Sequence, residues 1–172
     1  MYLPANDPAT VTLGFCRSRG IFSRAIEWFG AGGYSHVTSL LPDREHVIDA
    51  RLNGGVQKRN VGYLSGTPID WIDITCAVSE STKFYEFLHK QIGKKYDIEG
   101  IVDFALGLTQ PFRWTHPTSA WFCDELAAAA LIDAGIARRP WQVLTRLTPG
   151  ACGFMVSQLD WQKSKFSLRR VL

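Results

Sequence analysis

The chain has no Cys-x-x-Cys pair and no His-x-x-x-His pair. Its four cysteines, Cys16, Cys76, Cys123 and Cys152, are scattered, as are its four histidines, His36, His46, His89 and His116. Such spacing is poor for zinc, so neither a structural metal nor any other cofactor is expected. No apolar run approaches the roughly 20 residues a helix needs to span a bilayer. No N-terminal stretch has the charged, apolar and small-residue order of a signal peptide. The expectation is a cytoplasmic protein without stable membrane insertion, reaching any extracellular target only by lysis or in a phage particle. Charge of one sign is also lacking: the net charge is +3, too small to point to nucleic acid. At 172 residues a disulfide framework is unnecessary. Internal repeats, low-complexity tracts and Pro/Ser linkers are missing, which predicts one domain over residues 1–172. Nothing in the sequence specifies an oligomeric state.

What is present is ordinary globular composition, 46% apolar and 20% charged. The pattern predicts an α+β fold. Strands are expected at Thr10–Phe15, Tyr34–Leu41, His46–Ala50, Ile69–Thr75 and Gly153–Ser157. Helices are expected from Ser18 to Phe29, from Glu80 to Ile92, from Gly100 to Leu108 and from Cys123 to Ala134. In the Glu80–Ile92 helix, Phe84, Phe87, Leu88 and Ile92 should face inward. Residues 51–67 read as a loop-rich insertion with a short strand around Val56. The basic run from Lys163 to Arg170 reads as a solvated tail. Cys16 and Cys76 lie in apolar strands and read as core.

Two residues carry chemistry. Cys123 opens a helix in Trp121-Phe122-Cys123-Asp124-Glu125-Leu126, after two candidate caps, Thr118 and Ser119. A helix N-terminus favours a thiolate through its unpaired N–H groups and partial positive charge. Phe122, Leu126, Ala129 and Ile132 form one helical stripe, expected in the core. Cys123, Ala127, Ala130 and Ala134 form a second, small enough for close approach to a sheet. His36 lies in the strand Tyr34-Ser35-His36-Val37, and a hairpin returns through His46-Val47-Ile48-Asp49-Ala50. Thiol, imidazole and an orienting group make an activated nucleophile. Asp49 is favoured over His46 as the orienter, because a strand-borne Asp asks for a reason. His116 is a competing base on a loop. The competing reading of Cys123 is a small buried hydrophobe.

With these residues in place, the chain resembles the circularly permuted papain-like fold. That group includes the YiiX-type relatives of NlpC-type cell-wall peptidases and the lecithin–retinol acyltransferases. The order His36 before Cys123 is the permuted one. Gly93-Lys94-Lys95-Tyr96-Asp97-Ile98-Glu99-Gly100 is similar to the family's Gly-x-x-Tyr-Asp-x-x-Gly element. Phe122-Cys123-Asp124-Glu125-Leu126 is similar to its aromatic-Cys-Ser-Glu-Leu motif, with Asp124 in place of Ser. Leu147-Thr148-Pro149-Gly150 is similar to its Thr-Pro segment. The likeness spans residues 10 to 157.

The resemblance implies an antiparallel sheet packed against the nucleophile helix and amide, ester or thioester chemistry through an acyl-enzyme. Cys123, His36 and Asp49 are then the catalytic candidates, and Tyr96, Ser35, Tyr34 and Trp121 the candidate substrate contacts. The expected partner is a peptide or acyl substrate, such as one derived from peptidoglycan. Two alternatives stay open: an acyltransferase or lipid hydrolase on the same scaffold, and a binding module that has lost the chemistry.

Overall fold

A computed structural model describes residues 8–17, 33–97, 120–137 and 167–170. Its centre is a six-stranded antiparallel sheet. The strands are β1 (Pro8–Cys16), β2 (His36–Leu40), β3 (His46–Arg51), β4 (Gly55–Asn60), β5 (Ile69–Ala77) and β8 (Ser167–Arg170), in the order β4-β3-β2-β1-β5-β8. A 3₁₀ turn over Val61–Leu64 follows β4. The helices are α1 (Val78–Gln91) and α2 (Cys123–Asp133). Two short strands, β6 (Lys95–Tyr96) and β7 (Ala120–Trp121), pair in parallel. No helix among the described residues is long and apolar enough to cross a membrane.

Alternation along the strands divides the sheet into two faces. Val11, Leu13 and Phe15 of β1, Val37 of β2, Ile48 and Ala50 of β3, and Ile72 and Ile74 of β5 form the main core. Phe84 and Leu88 of α1 and Leu126, Ala127, Ala130 and Leu131 of α2 cover it. The opposite face holds a smaller cluster of Cys16, Val47 and Leu64, with Tyr63 and Trp71 packed on it. Gly14 lies on that face because space demands it: a Cβ there would sit 2.6 Å from the Trp71 ring. Gly55 opens β4 at φ +64, and its Cβ would meet the Lys94 carbonyl oxygen at 2.1 Å. Backbone bonds from Val56 N–H to Lys94 O and from Gly93 N–H to Val56 O, both 2.9 Å, tie β4 to the turn after α1.

Several expectations need correction. Residues 55–60 form a six-residue strand, longer than a short strand within a loop, because β3 offers a full antiparallel partner from Arg51 to His46. Ser167–Arg170 is a strand on β5, not a solvated tail. Helix α1 ends at Gln91, so Ile92 is 41% exposed while Gln91 is buried. Cys76 is half-buried rather than core. On α2 the small-residue stripe is the buried one. Ala129, Ile132 and Phe122 are only partly buried, since Leu126 and Leu131 fill the core beside Ala127 and Ala130. The helix cap is Phe122, not Thr118 or Ser119, because Ala120–Trp121 are held extended against Lys95–Tyr96 until the helix begins. The expected elements at 18–29, 100–108 and 153–157, together with His116 and Cys152, lie outside the described residues.

Candidate active site

His36 is the first residue of β2, and Asp49 lies on the neighbouring β3. His36 Nε2 and Asp49 Oδ2 are 2.6 Å apart, with the Asp49 side chain fully buried. The other expected orienter, His46, lies elsewhere: its Nδ1 meets the exposed Asp43 at 2.9 Å.

Asp49 has more partners than the imidazole. Tyr63 Oη donates to Oδ2, and Arg59 Nη1 donates to Oδ1. Arg59 Nη1 also reaches the Asp49 carbonyl at 3.2 Å, and its Nη2 reaches the Gly55 carbonyl at 3.2 Å. Arg51 Nε lies 3.9 Å from Oδ2, its guanidinium stacked over the Tyr63 ring at 4.7 Å. Burial alone would raise the Asp49 carboxyl. The His36 hydrogen bond and charge, the Tyr63 hydroxyl and the Arg59 guanidinium outweigh it and hold the group below the ordinary carboxylate range. Sequence reasoning missed Arg59, Tyr63 and Arg51. What places Arg59 is the β3–β4 register, which sets it opposite Val47, and the sequence carries no local signal of that pairing.

Cys123 is the first residue of α2 and is buried. The parallel pairing of Tyr96 with Trp121 delivers the chain to this point. The Val37 N–H faces the thiol and favours its anion, so the helix start meets β2 at the residue after His36. Its own hydrogen bond goes to Asp124 Oδ1 at 3.8 Å. Among the described residues no hydrogen bond joins Cys123 to His36. Burial, then the Asp124 charge, push the thiol well above its usual value; the Val37 N–H opposes them.

The helix start carries two more shifted acids. Burial, then the Glu125 charge, raise Asp124 to about 8. Burial raises Glu125 to about 7, against the pull of the Phe122 N–H, and the helix starts without a side-chain cap.

The candidate substrate contacts are placed as follows. Tyr96 is partly buried, edge-on to Phe122 at 5.6 Å. Burial and the neighbouring Cys123 and Asp124 charges raise its phenol. Tyr34 Oη donates to Asp70 at 2.7 Å, under the Arg17 guanidinium. Ser35 is buried and donates to the Cys16 carbonyl at 3.3 Å. Trp121 lies in the core, its Nε1–H donating to Gln91 Oε1 at 3.1 Å.

No protein-family model matches the sequence, and no curated protein matches it. Among solved structures the chain is similar to the metalloprotein yiiX from Escherichia coli O157:H7, at a TM-score of 0.57 and 20% identity. The match covers 74% of this chain and 66% of that one, just under two thirds of the relative's length. The chain thus has the α+β, permuted papain-like fold of yiiX.

Proposed function

We propose that the chain is a cysteine hydrolase that cleaves an amide bond in a peptide or acyl substrate, such as one derived from cell-wall peptide. The observation that carries this reading is the buried 2.6 Å His36–Asp49 bond on the strand whose next residue, Val37, faces the helix-start thiol. Asp49 takes Nε2, which leaves Nδ1 for the thiol proton. The carboxylate fixes the tautomer and stabilises the imidazolium; Arg59 and Tyr63 hold the carboxylate. Turnover requires the thiol to exchange its Asp124 partner for His36. The thiolate then attacks the carbonyl, the imidazolium protonates the leaving amine, and water releases the acyl group.

The name of yiiX raises the question of a metal. Among the described residues no group of three or more His, Cys, Asp or Glu side chains is arranged to hold one. Asp49 commits both oxygens to His36, Tyr63 and Arg59, and the two guanidinium groups repel a cation. These residues do not fit a metal.

A specific observation favours a second reading, a non-catalytic binding module: the thiol is buried, bonded to Asp124 and pushed up. Alkylation of Cys123 by iodoacetamide, followed by peptide mass spectrometry across pH, separates the two. The hydrolase reading expects fast labelling well below pH 8, the ordinary thiol range, lost in His36→Ala. An ordinary thiol profile in both proteins would leave the binding module.

A further inference from the structure

We infer that Asp124 takes part in the reaction as a carboxylic acid, its Oδ2 donating a hydrogen bond to the substrate's carbonyl oxygen as the Cys123 sulfur attacks. The inference rests on the hydrolase reading above and adds a residue to it.

Asp124 is 4% exposed, and its two oxygens differ. Oδ1 accepts the Cys123 thiol at 3.8 Å. Oδ2 is fully buried and has no hydrogen-bond partner among the described residues, an orphan state shared there only with Thr38 Oγ1. Buried polar atoms are seldom left so, and each such atom in a native fold asks for an explanation. Among the described residues the groups that face this carboxyl are Cys123 and Glu125 on its own helix and Tyr96 on β6. Burial and Glu125 raise Asp124 to about 8, against the pull of the N–H groups at the helix start. Near neutral pH the group therefore carries a proton, and Oδ2 is a donor without an acceptor. The substrate's carbonyl oxygen supplies one, next to the sulfur that attacks its carbon.

The step balances. The S–H proton passes to His36 Nδ1, the S–C bond forms, and the carbonyl π pair moves onto oxygen. The Asp124 O–H and the Cys123 backbone N–H hold that oxyanion. The pair returns as C=O re-forms, the C–N bond breaks, and the amine leaves with the His36 proton. Asp124 keeps its own proton throughout.

Two electrophiles test this on the full chain. Acylation of Cys123 by p-nitrophenyl acetate passes through an oxyanion; alkylation by iodoacetamide does not. Loss of one oxyanion donor costs about 100-fold or more, so Asp124→Ala should lose about that in acylation and far less in alkylation. Asp124→Asn keeps a donor and should stay close to wild type. The wild-type ratio of acylation to alkylation should fall as pH rises through about 8, and the Asp124→Asn ratio should stay flat. Equal slowing of both reagents by Asp124→Ala, or a flat wild-type ratio, would overturn the inference. The ratio profiles decide the matter even where Asp124→Ala fails to fold. A wild-type Cys123 that is alkylated but never acylated would sink the hydrolase reading first, before any variant is made.

Discussion

Two carboxyl groups are buried at this site, and they are pushed in opposite directions. Asp49, on the sheet side, is surrounded by an imidazole, a phenol and two guanidinium groups, and is held ionised. Asp124, on the helix side, has a thiol on one oxygen and, among the described residues, no hydrogen bond on the other, and is held neutral near pH 7. Both are at most 4% exposed. Burial is thus the same in the two places, and the partners decide the sign. Two acids of one kind, parted in this way, are how one site can hold both a fixed anion and a proton donor.

The comparison can be broken most forcefully at Asp49. Asp49→Ala leaves His36, Tyr63 and Arg59 facing an empty space, and removing one partner of a buried ion pair costs about 3–5 kcal/mol. Urea denaturation should show a loss of that order near pH 7. Because the folded carboxyl lies below the unfolded one, its contribution is present above about pH 4. It is lost as pH falls through the lowered folded value.

Asp124 should behave in reverse. Its folded value is raised to about 8, so the folded state binds more protons than the unfolded chain between about pH 4 and 8. Stability should fall with rising pH across that window and level off above it. Asp124→Asn should flatten this slope and become more stable than wild type toward the alkaline end. Melting curves taken from pH 5 to 9 would show it, and an unchanged slope would mean that Asp124 is ionised in the fold. The smallest effect belongs to the surface: His46→Ala removes a pair with the exposed Asp43 and should leave both melting temperature and Cys123 labelling unchanged.

The parts of the site legible in the sequence were those fixed by local pattern. A strand rich in β-branched residues placed His36, a hairpin placed Asp49 beside it, and a helix start placed Cys123. Arg59 and Tyr63 were hidden because Gln57-Lys58-Arg59-Asn60 is polar without a clear alternation. Its strand character comes from pairing with β3, a nonlocal fact. Asp124 stood out only as a departure from a serine. Its burial depends on packing between α2, β2 and β6, which spacing along the chain does not express. The capping of α2 was misplaced for a similar reason: a short parallel pairing with Lys95–Tyr96 overrode two good local caps.

The tie between β4 and the turn after α1 bears on what happens when many copies of the chain are crowded together. An outer strand with open N–H and C=O groups is a template on which a second molecule can grow a sheet. Here Val56, near the start of that strand, has both groups already engaged by Gly93 and Lys94. Further along, Lys58 puts a charge on the same strand, its side chain 41% exposed. A newcomer strand would find its first bonds occupied and the next stretch charged. On this border the molecule is guarded against aggregation, and Gly55, which lets the two backbones close, is what makes the guard fit.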